Sequence, residues 1–98
     1  MIIDEIVTGA RVPNFCVNTW WNLDADIVCL GKGIANGFPL SVIAGKENIM
    51  DCGEYFISST FSGEALSFAA CIATLKELES LSIQELFDHA NIQLHEKF

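Results

Sequence analysis

Basic residues are scarce: five Lys and Arg stand against thirteen Asp and Glu, for a formal net charge of -8. A chain so acidic offers no basic patch to neutralise phosphates, so nucleic acid is not an expected partner, and anionic membrane surfaces are disfavoured for the same reason. Long apolar runs are also lacking. The most apolar window, 27–45, is interrupted by Lys32, Asn36, Pro39 and four glycines, so no stretch approaches the roughly 20 residues of a spanning helix, and no membrane association is expected. No basic segment leads into an apolar stretch at the start, where Asp4 and Glu5 follow Met1 almost at once. The four cysteines, at 16, 29, 52 and 71, include no C-x-x-C pair and no metal-type spacing. Cys29 and Cys71 lie in apolar runs and read as small core residues. A reducing, cytoplasmic setting is the expectation.

What the chain does have is apolar content. Of 98 residues, 51% are hydrophobic and 18% charged, a rich apolar share for a small domain with a large surface to cover. Part of that surface is expected to meet more chain or a second subunit. Residues 1–7 read as a short β-branched strand around an acidic pair, and the chain begins inside this pattern as if cut. Residues 11–24 read as irregular, with Pro13, three asparagines and the Trp20-Trp21 pair. Residues 26–30 are apolar without alternation, as in a central strand covered on both faces. A glycine-rich loop over 31–37 leads to a further apolar segment, 39–44, and 47–50 form a helical turn. A helix over 64–80 is apolar nearly all round in its first half, which predicts burial. A capping box at Ser82 and Glu85 opens a last helix with Ile83, Leu86, Phe87, Ala90 and Leu94 on one face. Strands alternating with helices give an α/β class.

The chemistry centres on Lys32, which sits where an apolar strand opens into a glycine-rich turn. Two phosphate motifs fail there: Gly33 stands where a P-loop needs Ser or Thr, and Gly37 falls one residue too far for the dinucleotide fingerprint. Amine chemistry remains. A lysine amine in an apolar, glycine-lined setting is a nucleophile that forms a Schiff base with an aldehyde. If the aldehyde is pyridoxal phosphate, the protein must add a carboxylate for the pyridine nitrogen and an anchor for the phosphate. Asp4, on a short apolar strand, suits the first. Ser59, Thr60 and Ser62, before the N-terminus of the 64–80 helix, suit the second. The plain alternatives are a surface lysine, an edge-strand acid and ordinary N-capping by Ser62. Trp20 and Trp21 read as core or interface aromatics, and His89, one turn from Glu85, as a solvated pair rather than a metal site.

The stretches Asp4-Glu-Ile-Val-Thr-Gly-Ala-Arg11, Asp26-Ile-Val-Cys-Leu-Gly-Lys32-Gly-Ile-Ala-Asn-Gly-Phe-Pro-Leu-Ser-Val-Ile-Ala-Gly45 and Ser59-Thr-Phe-Ser-Gly-Glu-Ala-Leu-Ser-Phe-Ala-Ala70 resemble, in order and separation, the class III pyridoxal-phosphate aminotransferases, the branch that includes glutamate-1-semialdehyde aminomutase. The resemblance implies part of the large cofactor-binding domain of a fold-type I enzyme, a mixed and mostly parallel sheet with flanking helices. It implies that 1–81 belong to that domain and that 82–98 lead toward a C-terminal domain. Lys32 would carry the Schiff base and shuttle the substrate proton, Asp4 would pair with the pyridine nitrogen, and Ile6 would pack beside the ring. Thr60 would reach the cofactor phosphate of the neighbouring subunit in a homodimer. Arg11 is a recurrent motif residue with no role assigned. The implied reaction is amino-group transfer or intramolecular aminomutase chemistry on a small amino acid or amino-aldehyde. Ala25 stands where the family usually has proline, Glu64 where asparagine is more frequent, and whole members are several times longer. The competing expectations are a non-catalytic fragment or interaction module that binds pyridoxal phosphate weakly or not at all, and, last, a cofactor-free lysine aldolase.

Overall fold

The structure, a computed structural model, describes residues 1–51, 53 and 58–97. Cys52 lies outside the described residues. Three short strands of β-branched and aliphatic residues form one sheet: β1 (Ile2–Glu5), β2 (Ile27–Leu30) and β3 (Val42–Gly45), with β2 in the centre. β1 and β2 run parallel, pairing Asp4 with Cys29 and Glu5 with Leu30. β2 and β3 run antiparallel, pairing Leu30 with Val42 and Ile27 with Gly45. The sheet is therefore mixed, and the chain is α/β. The apolar segment at 39–44 supplies β3, which starts only at Val42, beyond Pro39, whose missing N–H suits it poorly to a ladder. Between β1 and β2 the segment expected to be irregular contains a short helix, α1 (Val17–Trp20).

Side chains of paired strand positions share a face. On one face Glu5, Val28, Leu30 and Val42 turn inward to the core, where Leu30 gathers with Cys16, Ile34, Ala35 and Cys71. On the other, Ile2, Asp4 and Ile43 are exposed and Cys29 is half-buried. Cover on the second face is thus partial: Ile27 and Cys29 of β2 are half-buried there, and a Cβ on Gly45 would stand 3.1 Å from Met50 Sδ, while the flanking strands leave Ile2, Asp4 and Ile43 exposed. Cys71 is a core residue as expected, whereas the inward cysteine of the first half is Cys16 rather than Cys29. Burial and then the Glu5 carboxylate push the Cys16 thiol up to about 11, which makes it structural rather than reactive.

After β3, Lys46 bonds Asp24 at 2.9 Å and Asp26 at 3.0 Å and starts α2 (Glu47–Met50), the expected helical turn. The long helix α3 (Ala65–Ser80) rests on the turn after β2. Its burial is narrower than the sequence suggested. Ser67 and Cys71, one turn apart, are buried, while Leu66 is 68% exposed and Ile72 54%. The composition is apolar all round, but among the described residues only one stripe is buried. The last helix, α4 (Ile83–Lys97), begins with the Glu85 N–H donating to Ser82 Oγ at 3.4 Å. Of its apolar face only Ile83 and Phe87 are half-buried, Phe87 meeting Trp20 edge-on with centroids 5.7 Å apart. Trp20 thus packs as expected, and Trp21 is exposed.

The cap of α3 also differs from expectation. Glu64, not Ser62, is the N-cap, accepting the Leu66 N–H at 2.9 Å and the Ser67 N–H at 2.7 Å. Ser67 and then the Leu66 N–H hold its carboxyl below the ordinary 4.5. Because the folded value is lowered, the cap stabilises the helix above 4.5 and is lost as pH falls through the folded value. Acid titration is expected to move the Leu66 and Ser67 amide resonances at a pH below the ordinary carboxyl value of 4.5, and Glu64→Gln is expected to remove that step. A step that survives in the variant would assign it to another group.

Candidate active site

Because β1 and β2 are parallel, both leave the sheet at the same edge. Asp4, Glu5 and Ile6 close the first strand there, and Gly31 and Lys32 follow the second. Gly31 is buried and fully extended, with φ -173°. A Cβ on it would stand 3.4 Å from Ile6 Cγ2 and 3.7 Å from the Leu40 carbonyl oxygen, so Ile6 lies directly against the residue that precedes the lysine. Lys32 then opens a tight 3₁₀ turn, Lys32–Ala35, closed by Ile34 N–H to Gly31 O and Asn36 N–H to Gly33 O, both at 3.1 Å.

The turn holds Lys32 outward. Ile34 and Ala35 enter the core, at 5% and 0% exposure, and their burial fixes the direction of Lys32 at the start of the same turn. Lys32 pays in backbone strain: its φ is +41°, in the left-handed region that costs a non-glycine residue about 1–2 kcal/mol. Strain of this kind gathers where geometry serves function. Lys32 is exposed, so the apolar, desolvating setting expected around its amine is not built by the described residues. It borders a cavity of about 390 Å³ shared with Arg11, Asn36 and residues 38–40. Arg11 reaches this cavity across Gly33, where a Cβ would lie 3.2 Å from Arg11 Nε.

The sequence-predicted residues are brought together unequally. Ile6 touches the Lys32 turn through Gly31. Asp4 sits on the same strand edge but not on the wall of the Lys32 cavity. It is exposed, and its Oδ1 accepts the Ile6 N–H at 2.9 Å. Thr60 is exposed in a turn before α3, away from that cavity. The helix N-terminus beyond it is already served by Glu64. A second, more apolar cavity of about 570 Å³ lies between Pro13, Phe15, Leu75, Leu78 and Ile83 and contains none of these residues.

Two residues went unassigned on sequence grounds. One is Arg11, the only arginine of the chain. The other is Glu5, which is the buried acid of the pair. Its carboxylate accepts from the Thr8 hydroxyl, from the Val17 N–H at 3.2 Å and from the Asn18 N–H at 2.7 Å. Strand alternation does separate the two acids, but both sets of neighbours are aliphatic, and the pattern alone names neither as the inward one. Among the described residues no group of His, Cys, Asp and Glu is arranged to hold a metal ion, and no helix is long and apolar enough to cross a membrane.

A lysine in strained backbone, with a carboxylate on the neighbouring strand, thus stands at the carboxyl end of parallel strands, where α/β folds commonly bind ligands. Comparison with known proteins places it more closely. The family model for aminotransferase class-III matches residues 1–98, and the chain belongs to that family. It is 35% identical over 100 aligned residues to a glutamate-1-semialdehyde 2,1-aminomutase of Aeropyrum pernix, covering 98% of this chain and 23% of that protein. It is 35% identical over 96 residues to the enzyme of the same name from Methanococcus vannielii, covering 94% and 22%. Among solved structures, the PLP internal aldimine form of the Sphingopyxis sp. MTA144 FumI protein superposes with a TM-score of 0.75 at 31% identity, covering 82% of this chain and 20% of that one. The chain thus spans less than a quarter of the length of these relatives.

Proposed function

We propose that this chain is the central part of the cofactor-binding large domain of a pyridoxal-phosphate enzyme. The enzyme transfers an amino group, or moves one within a molecule, on an amino acid or amino-aldehyde. The observation that carries this reading is the shared edge of β1 and β2, which delivers Asp4, Ile6 and Lys32 to the end of the sheet where α/β folds bind ligands. The names of the relatives support it: two are aminomutases, and the solved structure is a PLP form.

The residues present fit the cofactor. The Lys32 amine is exposed and makes no salt bridge among the described residues. Asp4 is exposed on the open face of the sheet and uses one oxygen on its own strand end, which leaves the other for a protonated ring nitrogen. Gly33 keeps the backbone beside the lysine bare, since a Cβ there would press on Arg11 Nε and the Gly9 carbonyl oxygen, both at 3.2 Å. When bound, pyridoxal phosphate supplies an electron sink for the pair of electrons left on a substrate carbon. Lys32 Nζ would hold the cofactor aldehyde and would move the proton at the substrate α-carbon. Asp4 would keep the ring nitrogen protonated, Ile6 would pack beside the ring, and the Thr60 hydroxyl would hold the phosphate of a second copy in a homodimer. Residues 1–81 belong to the large domain, and 82–98 lead toward a C-terminal domain.

The experiment is chemical. The protein is incubated with pyridoxal phosphate, reduced with borohydride and digested, and the modified peptide is sequenced by mass spectrometry. The pyridoxyl mass is expected on Lys32. Its appearance only on Lys46, Lys76 or Lys97, or nowhere, overturns the assignment. The open sheet face and the exposed Leu66 and Ile72 favour a second reading for the 98 residues in isolation, a non-catalytic piece that needs its neighbours to complete a pocket. A saturable visible band in the isolated chain, lost in Lys32→Ala, would end that second reading.

A further inference from the structure

Glu5 is 0% exposed, and the chemistry proposed for Lys32 does not use it. Its carboxylate grips both ends of the 8–18 segment: the Thr8 hydroxyl at one end, the Val17 N–H at 3.2 Å and the Asn18 N–H at 2.7 Å at the other. Its own carbonyl accepts the Gly9 N–H at 2.8 Å. Among the described residues it forms no salt bridge. A carboxylate buried without a cation is costly to keep, and three aligned donors are what offsets that cost here.

Between the two grips the backbone is wound tightly. Ala10, Asn14 and Phe15 have φ of 62°, 56° and 72°, with Ala10 N–H bonded to Phe15 O at 2.8 Å and Arg11 N–H to Thr8 O at 3.0 Å. Left-handed non-glycine residues hold such a shape only where their surroundings impose it. The shape lays two groups on Gly33: a Cβ there would stand 3.2 Å from the Gly9 carbonyl oxygen and 3.2 Å from Arg11 Nε. Gly33 is the residue after Lys32, whose own φ of 41° needs support from outside the turn. The path runs from Glu5 through its hydrogen bonds to the 8–18 segment, from there through the close approach of Gly9 and Arg11 to Gly33, and along the backbone to the lysine.

We propose that Glu5 is a positioning residue for Lys32, its buried carboxylate fixing the 8–18 segment so that Gly9 and Arg11 hold the 3₁₀ turn that presents the amine. The role rests on the reading of Lys32 given above. Asp4 and Glu5 then divide two tasks between opposite faces of one strand, Asp4 toward the cofactor and Glu5 toward the scaffold that aims the lysine.

The test uses the full-length protein as Glu5→Gln, Glu5→Asp and Thr8→Val. Hydrogen exchange of the unliganded protein is read first, since it does not depend on the cofactor. In Glu5→Gln the amides of 32–36 are expected to exchange about 10-fold faster while those of α3 change less than about 2-fold. With pyridoxal phosphate bound, the pH midpoint of the visible band is expected to move by about half a unit or more. Turnover is expected to fall at least about 10-fold with KM held within about 2-fold, because misplacing a reacting group by about 1 Å costs up to about 100-fold. Glu5→Asp, which keeps the charge, is expected to recover part of both. Unchanged exchange at 32–36, or equal acceleration in α3, overturns the proposal, as does an unmoved band with unmoved turnover. If Glu5→Gln does not fold, Thr8→Val removes one donor only, and no change at 32–36 in that variant overturns the proposal equally. A wild-type borohydride label away from Lys32 overturns the function of Lys32 instead, and the exchange result still decides whether Glu5 holds the turn.

Discussion

Lys32→Ala in the full-length protein is expected to lower turnover by about 10²–10⁴-fold, the range that loss of a positioned proton-transfer group produces, with thermal stability unchanged. The stability half of this prediction comes from the turn. The lysine side chain is exposed, and its φ of 41° is no easier for lysine than for alanine. Lys32→Gly carries the same argument further. Glycine adopts that φ without steric penalty, so the variant is expected to be at least as stable as the wild type while losing turnover to the same degree. Steady-state kinetics and a thermal melt on the two variants check both halves. A variant that melts well below the wild type would mean that the lysine is part of the scaffold, and retained turnover would remove it from the chemistry.

Gly9→Ala should be the most damaging small substitution in the strand-edge region. A Cβ there would stand 2.6 Å from Leu30 Cδ2 and 2.8 Å from the Glu5 carbonyl oxygen. The leucine can rotate away, but the carbonyl cannot, because it is tied at 2.8 Å to the Gly9 N–H itself. A loss of about 1–3 kcal/mol, as for overpacking elsewhere, is expected. Gly37→Ala is the control: φ there is 101°, yet nothing lies within 4 Å of the added carbon, so its cost is conformational, about 1 kcal/mol. Denaturant unfolding of both variants separates the two effects. Equal midpoints would show that the Glu5 carbonyl yields after all, and with it the rigid contact on which the strand edge depends.

The elements legible in the sequence were those whose local pattern and tertiary role agree. The β-branched run at 2–5 and the apolar run at 27–30 are strands, and 65–80 is a helix. Lys32 stands out because a charge directly after a buried strand has few bland explanations. What escaped depends on which surface the folded chain covers, a property of the whole and not of a segment. Asp4 and Glu5 are adjacent, with Ile2 sharing the face of Asp4 and Ile3 that of Glu5, so the sequence marks two apolar faces without saying which is covered. Leu66 and Ile72 look like core residues because their intrinsic hydrophobicity is high; among the described residues more than half of each stays uncovered. The cap of α3 was assigned to a serine by propensity, whereas the Glu64 carboxylate reaches the same N–H groups from its place immediately before the helix.

The two faces of β1 have a consequence for how this strand tolerates change. At Asp4 a substitution meets solvent and the proposed cofactor, so mutational drift there alters chemistry while the chain still folds. At Glu5 one step along the backbone, drift strands two backbone donors and a hydroxyl in the interior, and the cost is felt before any reaction begins. Selection therefore reads neighbouring codons for different properties, one for catalytic output and the other for the yield of folded protein. A mutational scan scored separately for abundance and for activity would show the strand as an alternating record of the two.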